Sequence, residues 1–132
     1  MAVFADTYYF IALISPQDAG HAKAVEFSVQ NREPIVTTSW VLTELADGLA
    51  GTPNRHLVRQ AVLDFESSPH DILIPSDPDL WLKGLDLYSA RPDKEWSLTD
   101  CTSFVVMQQH GIKNALTADR HFEQAGFVAL LR

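Results

Sequence analysis

The chain has 132 residues, enough for one hydrophobic core and a single domain spanning 1–132. Hydrophobic residues make up 46% and charged residues 20%, which excludes a disordered chain. The formal net charge of -7 excludes a broadly basic nucleic-acid-binding surface, so any polyanion must be met by a local basic patch, a bound cation or a basic partner.

The first residues, MAVFADTYYFIALIS, are apolar but read as part of the fold rather than as a targeting segment. They lack a basic lead, Asp6 interrupts them, and no small-residue cleavage site follows. The run from Tyr8 to Ile14 is too short to span a bilayer. Ala2 to Ala5 reads as a buried strand and Thr7 to Leu13 as a short helix. Asp18 caps a second helix reaching about Asn31, with Ala22, Val25 and Val29 on one face. Ile35 to Thr37 is a strand after Pro34. Ser39 caps a helix running to about Ala50, ended by Gly51 and Pro53. Asn54 to Ser67 carries Leu57, Val58, Ala61, Val62 and Phe65 at helical spacing. Asp71 to Ile74 is a strand stopped by Pro75. Asp79 to Ala90 is a helix with Leu80, Leu82, Leu85, Leu87 and Tyr88 as its apolar set. A polar loop, Arg91 to Trp96, leads to a helix from Ser97 to His110, ended by Gly111. Asn114 to Thr117 is a strand, His121 to Gln124 a short helix, and Phe127 to Leu131 the final strand.

Short apolar strands alternating with amphipathic helices predict a three-layer α/β/α sandwich around a central, mostly parallel five-stranded sheet. Ligands of such sheets bind beyond the carboxyl ends of the strands, where strand order reverses. Asp6 directly follows the first strand, and Asp119 follows the fourth. Asp100 opens the helix that feeds the fourth strand, and Glu44 lies in the first half of the helix after the second. All four carboxylates therefore fall near one edge of the sheet.

Each has a plainer reading. Asp119 serves as a helix cap, and Ser97 with Asp100 has the spacing of a capping box. Asp6 reads as a turn residue. Glu44 falls off the centre of the face formed by Val41, Leu42, Leu45, Ala46 and Leu49, which points it at solvent. Asp100 stands at the edge of the face formed by Cys101, Phe104, Val105 and Met107, where a carboxylate is costly without a partner. Read together, crowded carboxylates repel one another, and a hard divalent cation such as Mg²⁺ or Mn²⁺ removes that penalty. The five histidines (21, 56, 70, 110 and 121) are scattered, and no zinc-type ligand set is visible. Cys101, the only cysteine, excludes an internal disulfide, suits a reducing cytoplasm and reads as a small apolar core residue.

The segments FADTYYFIALI, TTSWVLTELADGL, SLTDCTSFVVMQQHGI and ALTADRHFEQAGF occur in an order and spacing that resembles the PIN-domain ribonucleases, in particular the small VapC-type toxins of toxin–antitoxin pairs. The resemblance implies that Asp6, Glu44, Asp100 and Asp119 form the family's acidic quartet, holding Mg²⁺ or Mn²⁺ for hydrolysis of an RNA phosphodiester. It makes Thr7, Ser97 and Thr99 hydroxyls that orient a carboxylate or a metal-bound water. It moves Glu44 into the cleft, which its solvent-facing position allows. It also implies a cognate antitoxin whose basic segment enters the acidic site, and a homodimer in the cytoplasm. Arg91, Lys94 and Arg120 are the candidate RNA contacts, each with the alternative of a solvated surface charge. Trp96 either stacks on a base or anchors its loop to the core. A housekeeping RNA-processing nuclease and a non-catalytic binding module of the same fold are the remaining alternatives. An aspartate-phosphorylating phosphatase would need a second acid two residues after Asp6, where Tyr8 stands.

Overall fold

The structure, a computed structural model, describes residues 1–132. The strands are β1 (Val3–Ala5), β2 (Ile35–Thr38), β3 (Ile72–Ile74), β4 (Asn114–Leu116) and β5 (Val128–Ala129). The helices are α1 (Thr7–Ile14), α2 (His21–Gln30), α3 (Ser39–Leu49), α4 (Val58–Ser67), α5 (Pro78–Ala90), α6 (Leu98–Gln109) and α7 (Arg120–Gln124), with a 3₁₀ turn at Arg55–Leu57. The five strands form one sheet in the order β3-β2-β1-β4-β5. Every neighbouring pair is parallel, so the expected mostly parallel sheet is wholly so.

The chain leaves β1 toward one edge, through β2 to β3, then returns to place β4 on the other side of β1. Strand order therefore reverses between β1 and β4, and the region beyond their carboxyl ends is the crevice in which such sheets bind ligands. β1 is buried at every residue, as a strand covered on both faces must be. Beneath the crevice, Phe104 packs edge-on against Phe122 at 4.9 Å and against Trp96 at 5.1 Å. Each of these rings neighbours a site segment in sequence, so the aromatic cluster fixes the start of α6 and the start of α7 together.

Several local expectations are corrected. Asp18 does not cap α2. Its Oδ1 accepts the Gly20 N–H at 2.8 Å in a bend, and the helix begins at His21. Gly20 presses on Tyr8, where an added Cβ would lie 2.3 Å from the hydroxyl, so the chain turns at that contact before it coils. The buried residue of α2 is Ala24, whereas Val25 and Val29 are exposed. Thr38, not Ser39, caps α3, accepting the Val41 N–H at 3.1 Å. Asn54 opens a 3₁₀ turn, and the α-helical part starts at Val58. On α5, Leu82 and Tyr88 are exposed while Leu80 and Gly84 are buried. A Cβ on Gly84 would lie 2.5 Å from Thr102 Cγ2, so a glycine rather than a leucine sets how closely α5 meets α6. Gly111, with φ of +64°, terminates α6 as expected.

Candidate active site

Parallel pairing sets Ala5 against Leu116, so one residue further Asp6 stands beside Thr117 at the mouth of the crevice. Thr117 is fully buried. Its Oγ1 donates to Asp6 Oδ2 at 2.9 Å and accepts the Asp119 N–H at 3.0 Å. One hydroxyl thereby fixes an acid of β1 and the turn carrying an acid after β4. Asp119 Oδ1 accepts the His121 N–H at 2.9 Å and caps α7, as its position suggested.

Ser97 and Asp100 form the capping box at the start of α6. Ser97 Oγ accepts the Asp100 N–H at 3.0 Å, and Asp100 Oδ2 accepts the Ser97 N–H at 3.1 Å. Capping does not remove Asp100 from the crevice. His121 Nδ1 lies 3.1 Å from the same Oδ2 and 3.5 Å from Asp119 Oδ2. One donor atom each from Asp100, Asp119 and His121 lies within 4.8 Å of the other two. On the opposite wall, Thr7 Oγ1 donates to Glu44 Oε1 at 2.6 Å, which ties the first turn of α1 to the middle of α3. Glu44 is partly exposed, and it lies near enough to Asp6 to push that carboxyl's pKa upward.

The electrostatics show how closely the acids crowd. Asp6 is only 6% exposed. Its pKa rises from an ordinary 3.8 to about 7, chiefly through burial, with further upward pushes from Asp100 and Glu44. The Thr117 hydrogen bond opposes this rise without cancelling it. Burial also raises the pKa of Asp100, and Asp119 adds to it, while the Ser97 N–H and His121 pull it down. The four acids thus form a connected chain of repulsion, from Glu44 to Asp6 to Asp100 to Asp119.

The donor chemistry fits a divalent cation. Asp100 Oδ1 and Asp119 Oδ2 have no backbone partner, because the other oxygen of each holds a helix end. A cation among these carboxylates relieves the repulsion that the Thr117, Ser97 and His121 contacts offset only in part. Cys101 takes no part, since burial pushes its thiol up to about 11.

Residues 3–128 match the family description of the PIN domain. The chain belongs to the PIN-domain family. It is 29% identical over 129 residues to the 23S rRNA-specific endonuclease VapC20 of Mycobacterium tuberculosis, covering 96% of this chain and 95% of that protein. The crystal structure of that VapC20, described as a Sarcin-Ricin loop cleaving toxin, matches with a TM-score of 0.88 and 27% identity over 97% of this chain and 98% of that one. FitAcB from Neisseria gonorrhoeae matches at a TM-score of 0.67 and 20% identity, over 98% of this chain and 95% of that one. VapBC2 from Rickettsia felis, bound to a DNA fragment from their promoter, matches at 0.67 and 15%, over 98% and 96%. These last two share the fold.

The remaining expected site residues divide. The Ser97 and Thr7 hydroxyls each hold an acid or its helix. The Thr99 hydroxyl makes no hydrogen bond to an acid; only its carbonyl is engaged, by Thr102 Oγ1 at 2.9 Å. Arg91 grips Asp93 through two bonds of 2.9 and 3.0 Å and lies over the Trp96 ring at 5.1 Å. Trp96 is buried and donates its Nε1–H to Gln124 at 3.0 Å, so it anchors its loop and offers no free face to a base. Arg120 is exposed beside Asp119 and, like Lys94, has no carboxylate within ion-pair distance.

Two site residues escaped the sequence. Thr117 was taken as the last residue of a strand, and His121 as one of several scattered histidines. The available signal was spacing. A capping Asp followed two residues later by His puts that ring on the first turn of α7, over the same edge as Asp100.

Proposed function

We propose that the protein is a divalent-metal-dependent endoribonuclease acting as the toxin of a toxin–antitoxin pair, with Asp6, Glu44, Asp100 and Asp119 as its catalytic, metal-holding acids. The observation that carries this reading is Asp6, an acid buried at the point of strand reversal and pressed by Asp100 and Glu44. A core would not retain such a group without use. PIN-domain membership and near full-length similarity to a ribosomal-RNA endonuclease support the reaction class.

When bound, Mg²⁺ or Mn²⁺ lowers the pKa of a water and stabilises charge on phosphoryl oxygens. The chain's own groups supply the rest. Thr117 holds Asp6 and the Asp119 turn in register. Thr7 holds Glu44, and Ser97 fixes the first turn bearing Asp100. Arg120 and Lys94 are the proposed phosphate contacts, with Arg91 a lesser one because Asp93 already occupies it. Thr99 acts, on this reading, only toward a bound water. The net charge of -7 and the acidic crevice suit capture by a basic antitoxin segment. On this reading, and as the resemblance to the toxin family implies, the protein works as a homodimer in the cytoplasm. No helix is long and apolar enough to cross a membrane.

The test is cleavage of bacterial RNA that includes intact 23S rRNA, with chelator and with Mg²⁺ or Mn²⁺ restored. Cleavage is expected only with the ion, and Asp6→Asn is expected to abolish it. Cutting that ignores chelator would refute the proposal.

A further inference from the structure

The acids are the expected part of this crevice, whereas the imidazole among them is not. We propose that His121 is itself a metal-holding residue, giving the site a mixed nitrogen and oxygen donor set that favours Mn²⁺ over Mg²⁺. The inference rests on the reading above that a divalent cation occupies the crevice.

The geometry of one atom carries it. His121 Nδ1 faces the carboxylates, 3.1 Å from Asp100 Oδ2 and 3.5 Å from Asp119 Oδ2. Two donors at right angles on one octahedral ion, each about 2.1 Å from it, stand about 3.0 Å apart. The Nδ1 separations are close to such edges, so one ion can reach all three donors with small side-chain shifts. Asp100 Oδ2 accepts one backbone hydrogen bond, from Ser97, and keeps a lone pair for a second partner. Asp119 Oδ2 has no backbone partner. The backbone that carries the imidazole is held in place by the Asp119 cap on one side and by Phe122, a fully buried neighbour, on the other. The His121 side chain is 20% exposed and that of Asp100 11%, against 38% for Asp119, so the three donors form a wall that deepens from the opening inward.

Ligand type then decides the ion. Both ions take carboxylate and water oxygens, but Mg²⁺ holds its waters more firmly, whereas Mn²⁺, a first-row transition metal, accepts an imidazole nitrogen more readily. A crevice with carboxylates alone would discriminate little between Mg²⁺ and Mn²⁺. One with Nδ1 inside the coordination sphere favours Mn²⁺. The competing role is that His121 only donates a hydrogen bond to Asp100 and orients it, which would help both ions alike.

The experiment uses the full chain without RNA. Mn²⁺ and Mg²⁺ binding are measured by calorimetry for the wild type and His121→Gln, and bound Mn²⁺ is probed by electron spin-echo spectroscopy for ¹⁴N coupling. The wild type is expected to show ¹⁴N coupling that His121→Gln lacks. The variant should lose about tenfold or more in Mn²⁺ affinity and much less in Mg²⁺ affinity, collapsing the preference. Absence of ¹⁴N coupling in wild type with Mn²⁺ bound overturns the proposal while leaving the nuclease reading intact, and this does not depend on the variant folding. Equal loss for both ions also overturns it, making His121 a positioning residue. Failure of both ions to bind the wild type would overturn the proposed function as well.

Discussion

Replacing Asp6 by Asn removes a charge from the crevice while keeping an acceptor for the Thr117 hydroxyl. In the folded, metal-free chain Asp6 holds its proton up to about pH 7, against an ordinary 3.8 in the unfolded chain. Below 3.8 both states are protonated, and nothing is lost. Between the two values the unfolded chain has released the proton and the folded chain has not, so stability falls as pH rises. The loss is complete above about pH 7. A gap of about three pH units, at about 1.4 kcal/mol each, amounts to about 4 kcal/mol. Asp6→Asn has no such dependence. In urea unfolding with chelator present, the variant should match the wild type near pH 4 and exceed it by up to about 4 kcal/mol at pH 8. Saturating Mg²⁺ should narrow that gap by stabilising only the wild type. A variant that is less stable at pH 8, or a difference independent of pH, would refute the claim that Asp6 is held at a cost.

Asp100→Asn should also raise the metal-free melting temperature at pH 8, because burial raises the pKa of Asp100. An unchanged or lower value would reduce Asp100 to a helix cap. Thr117→Val removes the hydroxyl shared by Asp6 and the Asp119 N–H, and should cost about 1–3 kcal/mol in chemical unfolding. No loss there would mean that the hydroxyl does not hold the two acid-bearing segments together. Gly84→Ala drives a Cβ to 2.5 Å from Thr102 Cγ2 and 3.2 Å from the Thr102 backbone. Overpacking against backbone should cost about 1–3 kcal/mol, read as a lower urea midpoint. A neutral result would show that α5 and α6 separate freely.

The sheet was legible because parallel strands are short apolar runs, and AVFA, IVT, DILI and NALT are all of that kind, although DILI at the sheet edge is only partly buried. The acids were legible because such sheets place function at the carboxyl ends, where Asp6 and Asp119 stand. Helix faces were less so. The apolar spacing of Val25 and Val29 on α2 suggested burial, yet Ala24 and Phe27 are the residues that pack on the core. Leu82 and Tyr88 misled in the same way, because Gly84 decides which side of α5 meets α6. Caps slipped by a residue or more where two candidates adjoin, as at Thr38 and Ser39. His121 and Thr117 were hidden for another reason. Their roles depend on partners 21 and 111 residues away, and periodicity carries no information across such distances.

The central claim is that four acids from four segments act as one metal-holding catalytic centre. It is tested most directly by single-turnover RNA cleavage with saturating Mg²⁺ or Mn²⁺, comparing wild type with Asp6→Asn, Glu44→Gln, Asp100→Asn and Asp119→Asn, each first shown by circular dichroism to be folded. Each folded variant is predicted to lose about 100-fold or more in rate. A folded variant that cleaves at the wild-type rate would remove that acid from the centre, and four such variants would contradict the account.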